Sequence, residues 1–293
     1  MPDIQIDILS GYPGGEGYLF LTPKTAVLVD TGYDFSAPAM LAKIQEKLAG
    51  RPLDLILLTH SHYDHLNGCA VIQQAYRSAT VAAHPRVSAI LAKANARKTM
   101  RELNEVAAAN AGFSYTPTID QIRIDRDITD GERILLPDMT VRVLETPGHT
   151  HCCLSFYFEE YDVIATCESS CILLENRLIP EFVVSYQAAL QSIGKCAAIG
   201  ASRVALSHGV LLEGDDAKEY FDRASAETRS AAELILDLHR KGADHEEILA
   251  AFSARYYRGS LPQIQSRQAF ELNSNVMIAR LIQETEAAAA ANG

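Results

Sequence analysis

No apolar run in the chain approaches a membrane span: stretches such as Leu55 to Leu58 and Val204 to Leu206 fall far short of the ~20 residues that a bilayer-crossing helix needs. Basic residues are also scarce. Lys plus Arg total 26 against 37 Asp plus Glu, a formal net charge of −11, and nowhere do they form a block. A surface that tracks the phosphates of a long nucleic acid is therefore not expected, and neither is a membrane partner. The amino terminus, Met1-Pro-Asp-Ile-Gln-Ile-Asp, lacks the basic and apolar stretches of an export signal. The expectation is a cytoplasmic, reducing location, with the six cysteines serving as thiols or ligands and not as bridges. No internal repeat is visible. The glycine-rich segment Gly11 to Gly17 is not followed by a GK[ST] signature, so it reads as a hairpin turn near a cleft and not as a phosphate cradle.

What is present is an ordinary globular composition, 48% hydrophobic and 22% charged over 293 residues, long enough for one large domain with an appendage or for two domains. Strands are expected at Gly17 to Thr22, Ala26 to Asp30, Leu53 to Thr59, Thr80 to Ala83, Glu132 to Leu136, Thr140 to Glu145, Leu154 to Glu159, Tyr161 to Thr166 and Arg203 to Ser207. Spacing of 3.6 residues places helices at Ala37 to Leu48, Ala70 to Tyr76, Pro85 to Leu103 and Tyr186 to Ala198. The mixture argues an α/β or α+β layered fold. Beyond Gly214 the strand pattern stops. A long amphipathic helix follows from Asp215 to Lys241, ended by Gly242. Asp244 with Glu247 forms a capping-box signature, and a last helix runs from Gln265 toward Glu286 with an Ala-rich end expected to fray. The long apolar stripe needs a partner, either the preceding domain or a second subunit, which leaves a homo-oligomer open. These patterns divide the chain into residues 1–213 and a helical region, 214–293.

The strongest chemical signal is Thr59-His60-Ser61-His62-Tyr63-Asp64-His65. Nine histidines in 293 residues make three of them, with an aspartate, within six positions an improbable accident. Imidazole and carboxylate suit zinc, iron or manganese, and a turn at a strand end can aim neighbouring side chains at one volume. Three other strand ends offer similar chemistry: Thr146-Pro147-Gly148-His149, Glu168, and His208-Gly209. Each is weak alone.

In this order, the set resembles the metallo-β-lactamase superfamily, over about residues 1 to 210, and Val29-Asp30-Thr31-Gly32 resembles that family's early aspartate motif. The resemblance implies a four-layer αββα sandwich of α+β class, here with a C-terminal helical appendage. It implies two divalent ions, zinc first with iron or manganese as alternatives. His60, His62 and His149 would bind the first, Asp64, His65 and His208 the second, and Glu168 would bridge them. Asp30 would buttress the ligand loop, and Asp64 would also orient a metal-bridging hydroxide for attack on a small substrate.

The chain departs from the pattern at two places. The family usually has Asp where Cys167-Glu168 stands here, so a longer arm must reach two ions. It also favours small residues or Pro after the TPGHT turn, where this chain has His151, Cys152 and Cys153. These two cysteines, with Cys167 and Cys171, are read as buried reduced core residues, with ligand, redox or nucleophile roles as alternatives; Cys167 is expected to face away from the site. Tyr63 and His151 are candidate oxyanion donors. His84, His239 and His245 are expected on the surface or in packing. The absence of basic surface and export signal, together with a faint likeness of Asn273 to Leu281 to the helical appendage of glyoxalase II-like thioesterases, points to a small ester, thioester or lactone. The stretch Asn95 to Pro117 is a candidate lid. A mononuclear iron oxygenase of the persulfide dioxygenase kind is the alternative reading, and a degenerate, non-catalytic metal-binding protein a third.

Overall fold

A computed structural model describes residues 2–292. Two six-stranded sheets face each other. The first contains β1 (Gln5–Ser10), β2 (Glu16–Leu21), β3 (Ala26–Val29), β4 (Leu55–Leu57), β5 (Thr80–Ala83) and β6 (Arg126–Asp127), in that spatial order, antiparallel through β3 and parallel from there on. The second is built from β7 (Arg133–Leu136), β8 (Met139–Glu145), β9 (Leu154–Phe158) and β10 (Val163–Ala165). After a hairpin of β11 (Ile172–Leu174) and β12 (Arg177–Ile179), it is completed by β13 (Arg203–Leu206), parallel to β10, and by β14 (Val210–Glu213).

Strand alternation builds the layers. In β2, Tyr18 and Phe20 face the second sheet, while Leu19 and Leu21 face the helices outside. Between the sheets Phe20 stacks on Phe158 with ring centroids 4.1 Å apart, among Val27, Val29, Val141, Val143 and Phe156. The outer face of the first sheet is covered by α1 (Ala37–Leu48), through Met40 and Ile44. Past α2 (Tyr63–Leu66), the same face is covered by α3 (Cys69–Ala75), through Cys69 and Ile72. Two further helices, α4 (Pro85–Leu91) and α5 (Ala94–Asn110), join the same apolar cluster through Val87 and Met100. The second sheet is covered by α6 (Tyr186–Ala197) and α7 (Gly214–Arg240), with Ile193, Cys196, Tyr220 and Ala224 over Ile164, Val204 and Leu206. This is the expected four-layer αββα sandwich.

The 27-residue α7 carries Asp215 and Asp216 in its first turn and His239 and Arg240 in its last, charges that suit the ends of the helix dipole. On α7 pack α8 (His245–Tyr256) and, past the single turn α9 (Leu261–Ile264), α10 (Arg267–Asn292), around Ile235, Phe252, Phe270 and Ile278. The Asp244–Glu247 capping box forms at both of its hydrogen bonds, 2.9 and 3.0 Å. The Ala-rich end continues as helix to Asn292.

Two local expectations need correction, and a third gains its structure. The single helix at Pro85 to Leu103 is two, broken where Lys93 turns extended; Arg97 donates to the Leu91 carbonyl that the break leaves free. The segment Asn95 to Pro117 is mostly the ordered helix α5. Strands β1, β6, β11, β12 and β14 escape the sequence pattern, β6 being two exposed residues and β1 an edge strand interrupted by Asp7.

Candidate metal centre

The strands that carry the candidate ligands open at one edge of the sandwich, so four loops converge there. Leu58, Thr59 and His60 continue the line of β4; His62 is extended and starts α2, whose single turn carries Asp64 and His65. His149 follows β8, Glu168 opens a 3-10 turn after β10, and His208 sits in the β13–β14 turn. The His149 turn needs its glycine. Gly148 has φ +142°, and a Cβ there would meet the Ala189 backbone of α6 at 2.6 Å.

Asp30, itself in the left-handed region with φ 60°, ties the first loop together. Its Oδ1 accepts from the Thr59 backbone N–H at 2.8 Å, and its Oδ2 accepts from Thr59 Oγ1 and His65 Nδ1, both at 2.8 Å. Thr31 adds its N–H and hydroxyl to the His65 carbonyl, at 2.7 and 2.9 Å. The expected buttress is therefore in place as a hydrogen-bonded clamp.

Four of the five candidate histidines have one ring nitrogen fixed by a neighbour. His60 Nδ1 meets Thr59 Oγ1 at 3.0 Å, His65 Nδ1 meets Asp30, His149 Nδ1 meets the Glu181 carbonyl at 3.0 Å, and His208 Nδ1 meets the Gly14 carbonyl at 3.2 Å. Such contacts set the tautomer and leave the other nitrogen as a lone pair. Those other nitrogens converge. His149 Nε2 lies 2.8 Å from His62 Nδ1, and His60 Nε2 is buried with no partner. Gly14 belongs to the glycine-rich segment, which is indeed a hairpin turn at the cleft.

Glu168 stands among these rings. It is 1% exposed, with Oε1 2.6 Å from His65 Nε2 and 3.2 Å from His208 Nε2, and Oε2 3.6 Å from His60 Nδ1 and 4.0 Å from His149 Nε2. Neither carboxylate oxygen completes a hydrogen bond. With His65 Nδ1 donating to Asp30, the 2.6 Å approach of Nε2 to Oε1 needs positive charge at the contact, which a proton on Nε2 or a bound cation supplies. Ligand atoms gather in three overlapping groups, His60 with His62 and His149, His60 with His65 and Glu168, and Asp64 with His65 and His208, each within 4.8 Å. The donor set of imidazoles and carboxylates fits divalent transition metals.

The family model described as the metallo-beta-lactamase superfamily matches residues 15–240. The chain belongs to that superfamily. It is similar over 92% of its length, at 23% identity, to an atrochrysone carboxyl ACP thioesterase of Aspergillus chevalieri, of which the match covers 80%. It is 32% identical over 108 residues to a glyoxylase B2 of Dictyostelium discoideum, a match that covers 37% of this chain and spans about a third (32%) of that protein's length. A metallo-beta-lactamase family protein from Thermus thermophilus superposes with a TM-score of 0.68 at 21% identity, over 98% of this chain and 95% of that one.

The five histidines divide by charge. Burial lowers His60 well below its ordinary value, His62 to about 4 and His149 to about 3, which keeps all three in the neutral, ligating form. Burial also opposes charge on His65, but Glu168, Asp64 and Asp30 outweigh it and raise that imidazole; His208 is raised by Glu168 in the same way. Glu168 is held well below the usual carboxylate range, because the neighbouring His65 and His60 outweigh its burial. This half of the site demands positive charge.

Other expected candidates go elsewhere. His151 is exposed. His84 caps α4 by accepting from the Arg86 N–H, and His239 and His245 pair with Glu286 and Asn275. All six cysteines are buried and unpaired. Cys152 and Cys153 share the Thr150 hydroxyl, at 3.2 and 3.1 Å, and Cys167 packs on Thr146, 3.6 Å away, so none joins a ligand group.

A chamber of about 340 Å³ opens onto the ligands, and α5 and α10 wall it. Tyr63 lines it, as does a residue that the sequence does not single out, Glu181. This carboxyl is 5% exposed; burial, with Glu168 nearby, pushes it up to about 8 against the hydrogen bond that Asn273 Nδ2 donates at 3.3 Å. Glu181 lies in no motif, and only its tertiary position reveals it.

Proposed function

We propose that the chain is a metal-dependent hydrolase that holds two divalent ions, most simply zinc, and cleaves a small ester, thioester or lactone. The observation that carries this reading is Glu168, a buried carboxylate without hydrogen bonds between two groups of histidine nitrogens. His60, His62 and His149 would hold one ion, Asp64, His65 and His208 the other, and Glu168 would reach both. Bound there, the metals supply an acidified water and a Lewis-acid contact for a carbonyl oxygen.

The chain's own residues do the rest. Asp64 lines the chamber with Oδ2 3.6 Å from His65 Nε2, where it accepts a hydrogen bond from the attacking water and turns its lone pair toward the carbonyl carbon. Asp30 and Thr59 keep the ligand loop from relaxing as charge develops. Tyr63 offers a hydroxyl donor at the chamber, and apolar side chains of α5 and α10 line its walls. The relative named a thioesterase, matched over most of this chain, supports a thioester among the candidates. The formal charge of −11 supports a small substrate over nucleic acid, and the six unpaired cysteines support a reducing compartment.

Protein purified without chelators tests this directly, by elemental analysis followed by assay on esters, thioesters, lactones and phosphodiesters. The expected result is two ions per chain and hydrolysis of one of the first three classes. One iron per chain with oxygen consumption would instead establish an oxygenase, and full activity in chelator would overturn the metal reading altogether.

A further inference from the structure

The chamber beside the ligands has a chemical character of its own. Its walls are Ala96, Met100 and Leu103 from α5 and Ala269 and Leu272 from α10. No lysine or arginine lines it among the described residues. The cations closest in sequence are occupied elsewhere: Arg97 and Arg101 both pair with Asp120, Lys98 with Glu102, and Arg267 with Glu271. Beside the ligand edge, with Glu181 Oε2 3.8 Å from His149 Nδ1, the chamber also presents the Glu181 carboxyl and the Asn273 amide, joined at 3.3 Å. In either protonation state this pair can hydrogen-bond a hydroxyl or an amide, but it offers no counter-charge to an anion. A carboxylate or phosphate held against these walls would lose part of its hydration with no cationic side chain to replace it.

Resting on the hydrolase reading above, we propose that the chamber selects substrates whose non-reacting arm is apolar or neutral-polar and carries no negative charge. Thioesters with anionic leaving groups are then poor substrates, and acyl or leaving arms that end in an amide or hydroxyl are favoured by Glu181 and Asn273. Selection comes as much from the unpaired anion it would create as from the apolar contacts it gains.

Binding of non-hydrolysable thioethers to the metal-loaded protein tests this without requiring turnover, so a failure of the hydrolase reading in the ester and thioester assays stays separate. S-hexylglutathione and its diethyl ester share one skeleton and differ by two carboxylates; N-acetyl-S-hexylcysteamine is a small neutral probe with an amide. Titration calorimetry should find the diester bound about ten-fold more tightly than the diacid, with the neutral probe also bound. Leu272→Lys on α10 and, independently, Thr99→Lys on α5 place a cation on each wall at exposed positions that tolerate it. Both should narrow the ratio by raising affinity for the diacid. Equal or tighter binding of the diacid by the unmodified protein, no binding of the neutral probe at millimolar concentration, or an unchanged ratio in both lysine variants would each overturn the proposal.

Discussion

Asp30 reaches no substrate, yet it accepts three hydrogen bonds from the ligand loop, two from Thr59 and one from His65. Asp30→Asn keeps the size but turns one acceptor oxygen into a donor that faces the groups it should receive. Metal affinity should fall about 10- to 100-fold, the usual consequence of losing a partner that orients a ligand, as read by competition with a chromogenic chelator. An unchanged affinity would mean that the clamp is ornamental to binding. Glu168→Gln is nearly isosteric, so its chief change is lost charge, and it should weaken metal binding and turnover together. Glu168→Asp restores the superfamily's usual residue in a pocket fitted to the longer arm, and should retain metal with an altered rate. At this scale the sequence was legible where residues crowd together. His60, His62, Asp64 and His65 announce themselves by spacing, whereas Glu181 gives no local sign because its importance comes from β12 and α10 meeting around it.

Asp138, in the turn between β7 and β8, shows how the two sheets are fastened. Its Oδ1 accepts from Thr22 Oγ1 and Thr25 Oγ1 at 2.7 and 2.6 Å, and its Oδ2 from the Lys24 N–H at 3.0 Å, all in the β2–β3 turn of the other sheet. Slight burial opposes its charge, but these donors prevail and lower its pKa. A carboxyl depressed in the folded state stabilises fully above its unfolded value of about 3.9, and the contribution is lost as pH falls through the folded value. Asp138→Asn should therefore cost about 1–3 kcal/mol near neutral pH in urea unfolding of the metal-free protein. The gap should shrink as pH falls below the unfolded value and close once it passes the folded one; the same gap at both extremes would contradict the assignment. Elements with a strong period are legible in the sequence, α1 to the residue, because Met40, Ile44 and Leu48 repeat along one buried face. The break between α4 and α5 is not, because Ala92 and Lys93 are ordinary helix residues with no local sign of a stop.

The whole molecule couples the helical region to the site. Tyr220 and Ala224 of α7 cover Val204 and Leu206 of the second sheet, and α10 supplies one wall of the chamber. We propose 214–293 as a region that the first 213 residues require: a chain truncated at Gly214 should aggregate or unfold, and a monodisperse, equally active product would contradict this. Bound metal should add to stability by mass action, about 2.7 kcal/mol at a hundred-fold excess over Kd, so chelation should lower the melting temperature. An unshifted melting curve after chelation would argue against native-state binding. Strand and helix periods alone gave an α/β or α+β layered fold, and the αββα layering was legible only through the family resemblance that the ligand order carries; the chamber was not, because its walls, α5 and α10, come from segments far apart in the chain. The central claim is that Glu168 joins two metal positions. Anomalous diffraction from crystals of the metal-loaded protein tests it most directly. The expected result is two peaks about 3.5–4 Å apart, one among His60, His62 and His149 and one among Asp64, His65 and His208, with the Glu168 carboxylate in contact with both. A single peak, or a Glu168 carboxylate beyond coordination distance of either ion, would contradict it.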